Sequence, residues 1–336
     1  MDALTDSEYV ARILTTQVYD VARVTPVDEA KALSRRLGCR VFLKREDLQC
    51  VHSFKLRGAY CKMRSLPREA LQRGVLAASA GNHAQGVALS AAKLGVPATI
   101  VMPVTTPEIK VEAVRSYGAR IVLSGDGYPV AADEALRMQR GGEFTFIPPY
   151  DDPDVIAGQG TVAKELLEQV PDMDSVYVPV GGGGFAAGVA VYLKSVKPSV
   201  RVYGVEPCDS DCMSRSIRAG RRVTLRSPGL FADGVCVKTP GREPFRLCRR
   251  LLDGMVRVST TETCAAIRDV FEATRAVCEP AGALSVAAVR KSARRGERAV
   301  CIVSGANINF DSIRSVIEHA ASERQIKSNG GEKGGQ

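Results

Sequence analysis

The sequence predicts an α/β protein organised around parallel β-sheet. Short apolar runs alternate with helix-like segments along most of the 336 residues. Two consecutive units, residues 97–118 and 119–142, share the order apolar strand, turn, helix and glycine. This order is typical of βαβ units, whose strands are parallel. The length allows two domains with substantial buried cores.

The elements follow one another in two series. Apolar runs bounded by turn residues predict strands, and helical periodicity with terminal glycine or proline predicts helices. The predicted strands cover residues 40–44, 74–78, 97–102, 119–123, 175–180, 201–205 and 299–303. The predicted helices cover residues 83–94, 107–117, 129–139, 159–169, 185–195, 261–275 and 282–292. Residues 325–336 are rich in Gly, Lys and Ser, and we expect this tail to be disordered.

The composition is that of an ordinary globular protein. The net charge is +9, but the basic residues are dispersed, so we expect no nucleic-acid partner. Residues 1–10 lack the layout of a signal peptide, and the uncharged run 175–193 contains Pro179 and four glycines, so we expect no membrane span. Ten cysteines without a C-x-x-C pair and three separated histidines indicate reduced thiols in a cytoplasmic protein and no metal motif.

A glycine loop between a strand and a helix is a candidate phosphate site, because its N–H groups can converge on an anion. The loop consists of Gly181, Gly182, Gly183 and Gly184. A Walker loop is excluded, because no Lys-Ser/Thr pair follows Gly188. A dinucleotide fingerprint fits in part, with Ala187 as its last position and Glu206 as the ribose-binding acid. A cup for a monophosphate cofactor is the third interpretation.

Two further segments carry candidate chemistry. Lys55 lies between apolar and small residues; desolvation would make it a nucleophile or base, whereas most lysines are simply exposed. A second loop follows a buried strand and opens a helix, so its N–H groups can receive a carboxylate, with simple N-capping as the alternative. That loop is Ser79, Ala80, Gly81, Asn82 and His83. Because this loop and residues 181–185 and 304–307 all follow predicted strands, we expect them at one sheet edge.

Five segments together resemble the fold-type II pyridoxal phosphate (PLP) enzymes, and most closely the biosynthetic threonine dehydratases (threonine ammonia-lyases). The segments are residues 53–58, 79–83, 181–184, 279–282 and 304–307. The likeness runs from about Thr15 to about Arg324. It implies a tryptophan synthase β-like fold, with two open parallel-rich sheets each flanked by helices.

The resemblance also implies a role for individual residues. Lys55 would carry PLP as a Schiff base, Phe54 would flank its ring, and Ser304 would face the ring nitrogen. Asn82 would contact the cofactor 3′-oxygen, and the loop that contains it would receive the substrate carboxylate. The cofactor phosphate would be held by main-chain N–H groups of Gly181, Gly182, Gly183, Gly184 and Phe185.

The activity implied by the resemblance is β-elimination from a small hydroxy amino acid. L-Threonine would give 2-oxobutanoate and ammonia, the first step of isoleucine biosynthesis, and L-serine would give pyruvate. Serine dehydratase and hydroxyaspartate ammonia-lyase are the alternatives within this chemistry. An NAD-dependent oxidoreductase would leave Lys55 and Asn82 without a function, and a non-catalytic amino-acid-binding protein would have no need of either.

The resemblance further suggests the organisation of the molecule. We expect a large PLP-binding domain of residues 1–60 and 155–324, a small inserted domain of residues 61–154, and assembly into a homodimer or homotetramer. No metal is expected, although some relatives bind a divalent cation after the phosphate-loop helix. The weak candidates there are Glu206, Ser210 and Asp211.

Two departures from the related patterns carry expectations. Serine racemases of this fold have a second serine where this chain has Ala80, so we expect elimination with little racemisation. Long biosynthetic threonine dehydratases carry a C-terminal regulatory domain, whereas this chain stops at Gln336. We therefore expect no isoleucine inhibition from within this chain.

Overall fold

Ten strands form two sheets in the computed structural model, which describes residues 3–331. In chain order the strands are β1 (Val27–Glu29), β2 (Arg40–Arg45), β3 (Val75–Ala78), β4 (Ala98–Met102), β5 (Arg120–Leu123), β6 (Thr145–Phe146), β7 (Ser175–Pro179), β8 (Arg201–Pro207), β9 (Gly254–Val258) and β10 (Arg298–Val303). The larger sheet has the order β1-β2-β10-β7-β8-β9, and the smaller has the order β5-β4-β3-β6. All pairings are parallel except the edge pair β1–β2. The predicted α/β class with two parallel-rich sheets is confirmed.

Fourteen helices accompany the strands within the described residues. They are α1 (Asp6–Thr15), α2 (Lys31–Leu37), α3 (Lys55–Arg64), α4 (Arg68–Arg73), α5 (Asn82–Leu94), α6 (Glu108–Arg115), α7 (Tyr128–Arg140), α8 (Pro153–Gln169), α9 (Gly184–Val196), α10 (Cys212–Ala219), α11 (Arg242–Leu251), α12 (Thr260–Thr274), α13 (Pro280–Ser292) and α14 (Ser312–Gly331). None of the helices in residues 3–331 is long and apolar enough to cross a membrane.

The larger sheet is covered on both faces. Successive residues of its central strand β7 join different core clusters: Val176 and Val178 belong to one, and Tyr177 to the other. Side chains alternate between the faces of a strand, so the two clusters are the two layers between the sheet and its helices. This burial explains why the strand reads as a continuous apolar run rather than an alternating one.

Each strand and helix predicted from the sequence is present, with shifted ends. The strands that were missed, β1, β6 and β9, are short or lie at a sheet edge. Helix α3, which was also missed, contains Gly58 and packs closely on α8. A Cβ atom at Gly158 of α8 would lie 2.5 Å from the Arg57 carbonyl oxygen. Tertiary contact of two glycine-containing helices therefore stabilises a segment whose local propensity is weak.

The expected disorder of residues 325–336 stays a prediction. Helix α14 continues through Gly331 and so includes residues 325–331. Gln325, Ile326 and Lys327 extend a helix that is already nucleated, which requires much less free energy than starting one. Residues 332–336, which belong to the same expectation, lie outside the described part of the chain.

Candidate active site

The loops that were expected to meet do converge at the carboxyl ends of the strands. Residues 79–83 follow β3, residues 181–184 follow β7, and Ser304 follows β10. The segment before α3 is attached directly to the last of these loops. Phe54 N–H donates to the Ser304 carbonyl at 3.2 Å, and Ala306 N–H donates to the His52 carbonyl at 2.9 Å. The Lys55 segment is thereby fixed beside the end of β10.

Lys55 is the first residue of α3, and its amine lies in a nearly apolar setting. Its Nζ donates to the Pro149 carbonyl oxygen at 2.8 Å and lies 5.5 Å from the centre of the Phe54 ring. Among the described residues Lys55 makes no ion pair with a carboxylate. Burial lowers the pKa of Lys55 to about 8, against the weaker opposing effect of Glu279. A substantial fraction of the amine is therefore neutral near physiological pH, as a nucleophile or base requires.

A close helix contact brings the Asn82 loop to Lys55. Gly86 of α5 faces the start of α3, and a Cβ atom there would lie 3.0 Å from the Lys55 carbonyl carbon. The missing side chain lets the two helix N-termini approach at backbone distance. A helix N-terminus carries unpaired N–H groups and a partial positive charge, so an anion can bind here.

The Asn82 side chain belongs to a network that the sequence did not reveal. Its Nδ2 donates to Glu279 Oε1 at 2.7 Å, and its Oδ1 accepts from Asn307 Nδ2 at 2.6 Å. Glu279 Oε2 also accepts from Asn307 N–H at 2.9 Å. Glu279 and Asn307 both lie in segments that carry the family resemblance, and this resemblance was the signal that could have pointed to them. Their spacing along the sequence cannot show that they contact Asn82.

His83 has a different role from the rest of its loop. Its side chain is buried, and its Nε2 donates to the Ile147 carbonyl at 2.8 Å. Burial and the nearby Lys55 charge lower the pKa of His83 to about 3, so the ring is neutral. Any contribution of His83 to anion binding must therefore come from its main chain.

The glycine loop has the geometry of an anion cup. Gly183 has φ +93°, a conformation that favours glycine, and α9 begins at the next residue without a side-chain cap. Gly182 lies against the Tyr150 ring, and a Cβ atom at Gly182 would lie 2.2 Å from that ring. The Phe185 ring stacks on Phe54 with centroids 4.0 Å apart and an interplanar angle of 15°. Phe54 therefore lies between the Lys55 segment and the phosphate loop.

The segment Pro149-Tyr150, to which the sequence interpretation assigned no role, connects the two centres. The Pro149 carbonyl accepts from Lys55, while the adjacent Tyr150 covers Gly182. Lys55 and the glycine loop therefore contact two adjacent residues of the same segment. Ser304 completes the site: it is 3% exposed, and its hydroxyl makes only a long contact of 3.4 Å with the Ala281 carbonyl.

The weak metal candidates serve other purposes. The Glu206 carboxylate accepts from the main-chain N–H groups of Met213 and Ser214, both at 2.8 Å. Asp211 is paired with two guanidinium groups, and Ser210 Oγ contacts a main-chain carbonyl at 3.4 Å. Within residues 3–331 no cluster of three His, Cys, Asp or Glu side chains is placed to hold a metal. Glu206 is likewise engaged in starting α10, which removes the acid required by the dinucleotide interpretation.

The residues at this edge fit PLP. The buried Lys55 amine has a lowered pKa and no carboxylate partner among the described residues, as attachment to an aldehyde requires. The uncapped N-terminus of α9 offers main-chain donors for a phosphate. Nearby, the hydroxyl of Ser53 is buried without a hydrogen-bond partner.

Comparison with known proteins agrees with this geometry. Residues 18–305 match the family model described as pyridoxal-phosphate dependent enzyme. The chain is 51% identical over 318 residues to the biosynthetic L-threonine dehydratase of Pasteurella multocida, covering 94% of this chain and 62% of that protein. The chain therefore spans somewhat less than two thirds of this relative's length.

Solved structures give the same result. The processed form of threonine deaminase isoform 2 from Solanum lycopersicum superposes with a TM-score of 0.92 at 45% identity, covering 94% of this chain and 88% of that chain. Maize serine racemase superposes with a TM-score of 0.86 at 32% identity, covering 94% of this chain and 98% of that chain.

Proposed function

Because the chain belongs to the family of pyridoxal-phosphate dependent enzymes, we propose that it removes water and ammonia from L-threonine to give 2-oxobutanoate, and from L-serine to give pyruvate. The observation that carries this proposal is Lys55, a buried amine of lowered pKa beside a glycine loop and an asparagine loop. The similar chains named threonine dehydratase and threonine deaminase support the choice of substrate.

In this proposal the edge of the larger sheet holds the cofactor. Lys55 would bind the aldehyde carbon, Asn82 would bind the ring oxygen, and Ser304 would face the ring nitrogen. Main-chain N–H groups of the glycine loop and Phe185 hold the phosphate at the start of α9. When bound, PLP supplies an electron sink for the negative charge that develops at the substrate Cα atom.

The protein supplies the proton transfers and the orientation. The N–H groups of residues 79–83, at the start of α5, bind the substrate carboxylate. Lys55 Nζ would accept the Cα proton as the general base. Ser304 is a neutral partner for the ring nitrogen, so it does not enforce a protonated ring and favours prompt elimination.

The organisation of the molecule is part of the proposal. Residues 1–60 and 155–324 would form the large domain, and residues 61–154 would form the small one. All four strands of the smaller sheet lie within residues 61–154. Assembly into a homodimer or homotetramer and a cytoplasmic location are proposed with it. Size-exclusion chromatography with light scattering tests the assembly, since a mass of one chain at micromolar concentration would contradict it.

The decisive experiment measures 2-oxo acid release from threonine, serine and hydroxyaspartate. We expect turnover to be highest with threonine and to fall at least about a thousandfold in Lys55→Ala, because the base and the attachment point are lost together. Lys93→Ala, which changes an exposed lysine of α5, is the matched control and should keep full activity. A Lys55→Ala protein with parental turnover would refute the proposal, and hydroxyaspartate as the best substrate would replace threonine.

A further inference from the structure

The orientation of the Asn82 side-chain amide is set by a chain of hydrogen bonds that starts at a main-chain atom. Asn307 Nδ2 donates to the Val51 carbonyl oxygen at 2.9 Å and to Asn82 Oδ1 at 2.6 Å. Two acceptors on one nitrogen fix which end of the Asn307 amide faces Asn82. The Asn82 oxygen must then point to Asn307 and its nitrogen to Glu279.

The reversed orientation of the Asn82 side-chain amide would lose both of these hydrogen bonds. With Asn82 flipped, its oxygen would face the Glu279 carboxylate and its nitrogen would face the Asn307 nitrogen, so two acceptors and two donors would meet. In the observed orientation one N–H of Asn82 goes to Glu279 and one remains. That remaining N–H is the only donor the side chain can offer to another group.

We propose that Glu279 is a positioning residue, which holds the Asn82 amide so that its second N–H is presented to the bound cofactor. Glu279 is 2% exposed and lies at the start of α13, where its own side chain makes no cap to that helix. Its contacts go instead to Asn82 and to the Asn307 main chain. The inference rests on the proposed function for the identity of the bound group.

An ionised carboxylate accepts most strongly from both partners of Glu279. Asn82 Nδ2 and Asn307 N–H are both donors, so both oxygens of Glu279 must accept. Glutamine places an NH₂ group, which cannot accept a hydrogen bond, opposite one of these N–H groups. Protonation leaves one oxygen as a weaker acceptor, so the hydrogen bond to that oxygen weakens. Glu279→Gln is therefore a near-isosteric substitution that removes the orienting property and keeps the volume.

The charges around Glu279 make this arrangement dependent on pH. Burial, with the nearby negative charge of Asp233, raises the pKa of Glu279 to about 7, against the lowering effects of Asn82, Lys110 and Asn307. The Lys55 amine and the Cys278 thiol are the other titratable groups that interact with Glu279. The hold on Asn82 should weaken as the pH falls through about 7.

The first test titrates the apoprotein with PLP at pH 8 and follows absorbance. We expect Glu279→Gln to bind PLP about tenfold more weakly than the parent, because a hydrogen bond to a charged group is lost and a donor clash is gained. Glu297→Gln is the matched control. Glu297 is also buried and also accepts a main-chain N–H, but it precedes β10 at the end opposite the site. Equal PLP affinity in Glu279→Gln and the parent would overturn the proposal.

A double-mutant cycle separates positioning from general damage to the fold. If Glu279 acts through Asn82, then Glu279→Gln should change PLP affinity less than about twofold in an Asn82→Ala background. The same tenfold loss in both backgrounds would mean that Glu279 acts on the fold and would overturn the proposal.

The pH dependence of PLP affinity provides a third test. The ratio of parent to Glu279→Gln affinity should fall between pH 8 and pH 6, since protonation weakens Glu279 as an acceptor and leaves the glutamine unchanged. A constant ratio over that range would contradict the proposal. A parent apoprotein that binds no PLP at any pH would instead refute the proposed function itself, which keeps the two failures distinct.

Discussion

At the scale of single residues, the site depends on groups whose ordinary behaviour is altered by burial. Lys55 loses part of its charge because its amine contacts a carbonyl and an aromatic ring rather than a carboxylate. Burial and the nearby negative charge of Asp233 raise the pKa of Glu279 to about 7, so that this carboxyl keeps its proton to an unusually high pH. The two lie close enough for the charge of Glu279 to raise the pKa of Lys55. Their ionisation is therefore linked.

One prediction concerns the rate at which PLP associates with the apoprotein. Only the neutral Lys55 amine attacks the aldehyde, and its pKa is about 8, so the rate should rise with pH and level off above about 8. Stopped-flow absorbance between pH 6 and pH 9.5 measures it. Glu279→Gln should shift the profile to lower pH, because the charge that favours protonated Lys55 is removed. A flat profile would contradict the role of Lys55.

A second prediction concerns the stereochemistry of the reaction. Ala80, in the loop before α5, has no group that can deliver a proton to the face opposite Lys55. L-Serine should therefore give pyruvate with little D-serine, measured by chiral chromatography. Ala80→Ser should increase the D-serine fraction, whereas Ala80→Gly should not. Appreciable D-serine from the parent would show that another residue acts on that face.

At the scale of elements, each anion-binding segment is a turn joined to a helix N-terminus. The turn after β7 depends on one glycine with positive φ, and the contact between α3 and α5 depends on another glycine, Gly86. Helix α3 is held at its start by Arg57, which bonds to Glu46 and Glu165 in a fully buried ion network. These features fix the backbone near Lys55 without contacting the reacting atoms.

A prediction about the turn at Gly183 separates the effect of backbone strain from the effect of steric crowding. Gly183→Ala places a Cβ atom 2.4 Å from Met213 Cε and 3.0 Å from Pro244 Cβ, at φ +93°. We expect PLP affinity to fall about tenfold or more, because the phosphate loop must shift. Gly95→Ala is the control: its φ is +66° with nothing within 4 Å, so it should lose about 1 kcal/mol of stability and keep its PLP affinity. Equal PLP affinities in the two variants would contradict the role of the loop.

A further prediction concerns the contribution of the buried Arg57 ion network to stability. Arg57→Met leaves the carboxylates of Glu46 and Glu165 without their shared guanidinium, while Lys44 still pairs with Glu165. The free energy of unfolding, from urea denaturation, should fall by about 3–5 kcal/mol. Arg137→Met, which breaks an exposed pair within α7, should change it by less than about 1 kcal/mol. Similar losses in both variants would show that the network contributes little.

At the scale of the whole molecule, the site lies where the smaller sheet meets the larger one. Asn82 comes from the smaller sheet's side, while Glu279 and Asn307 come from the larger sheet's side. A further ion pair joins the two sides nearby: Lys110 Nζ, from α6, lies 2.6 Å from Asp233 Oδ2. The site is therefore complete only when both parts of the chain are packed together.

The crossing ion pair leads to a prediction about substrate binding. Lys110→Ala should raise the KM for threonine about two- to fivefold with little change in kcat, because a half-exposed pair contributes at most about 1 kcal/mol to holding the two sides together. Steady-state kinetics at low salt measure it, and added salt should reduce the difference. An unchanged KM would show that the pair does not contribute.

Sequence patterns were enough to predict the α/β class, the positions of most elements, and the loops that carry Lys55, Asn82, the glycines and Ser304. Such features depend on periodicity and turn chemistry within a few residues, and they survive without knowledge of the packing. The weak helix α3 and the edge strands were missed because tertiary contacts decide them.

The way in which those loops act together depends on how the chain is packed. Asn82 and its partner Glu279 are separated by 197 positions, and Lys55 and its carbonyl partner Pro149 by 94. The pKa of a buried group and the orientation of an amide depend on such partners and on the exclusion of water. No local pattern specifies them, so Lys55 could be singled out from the sequence, but its desolvation, and the carboxylate that orients Asn82, required the fold.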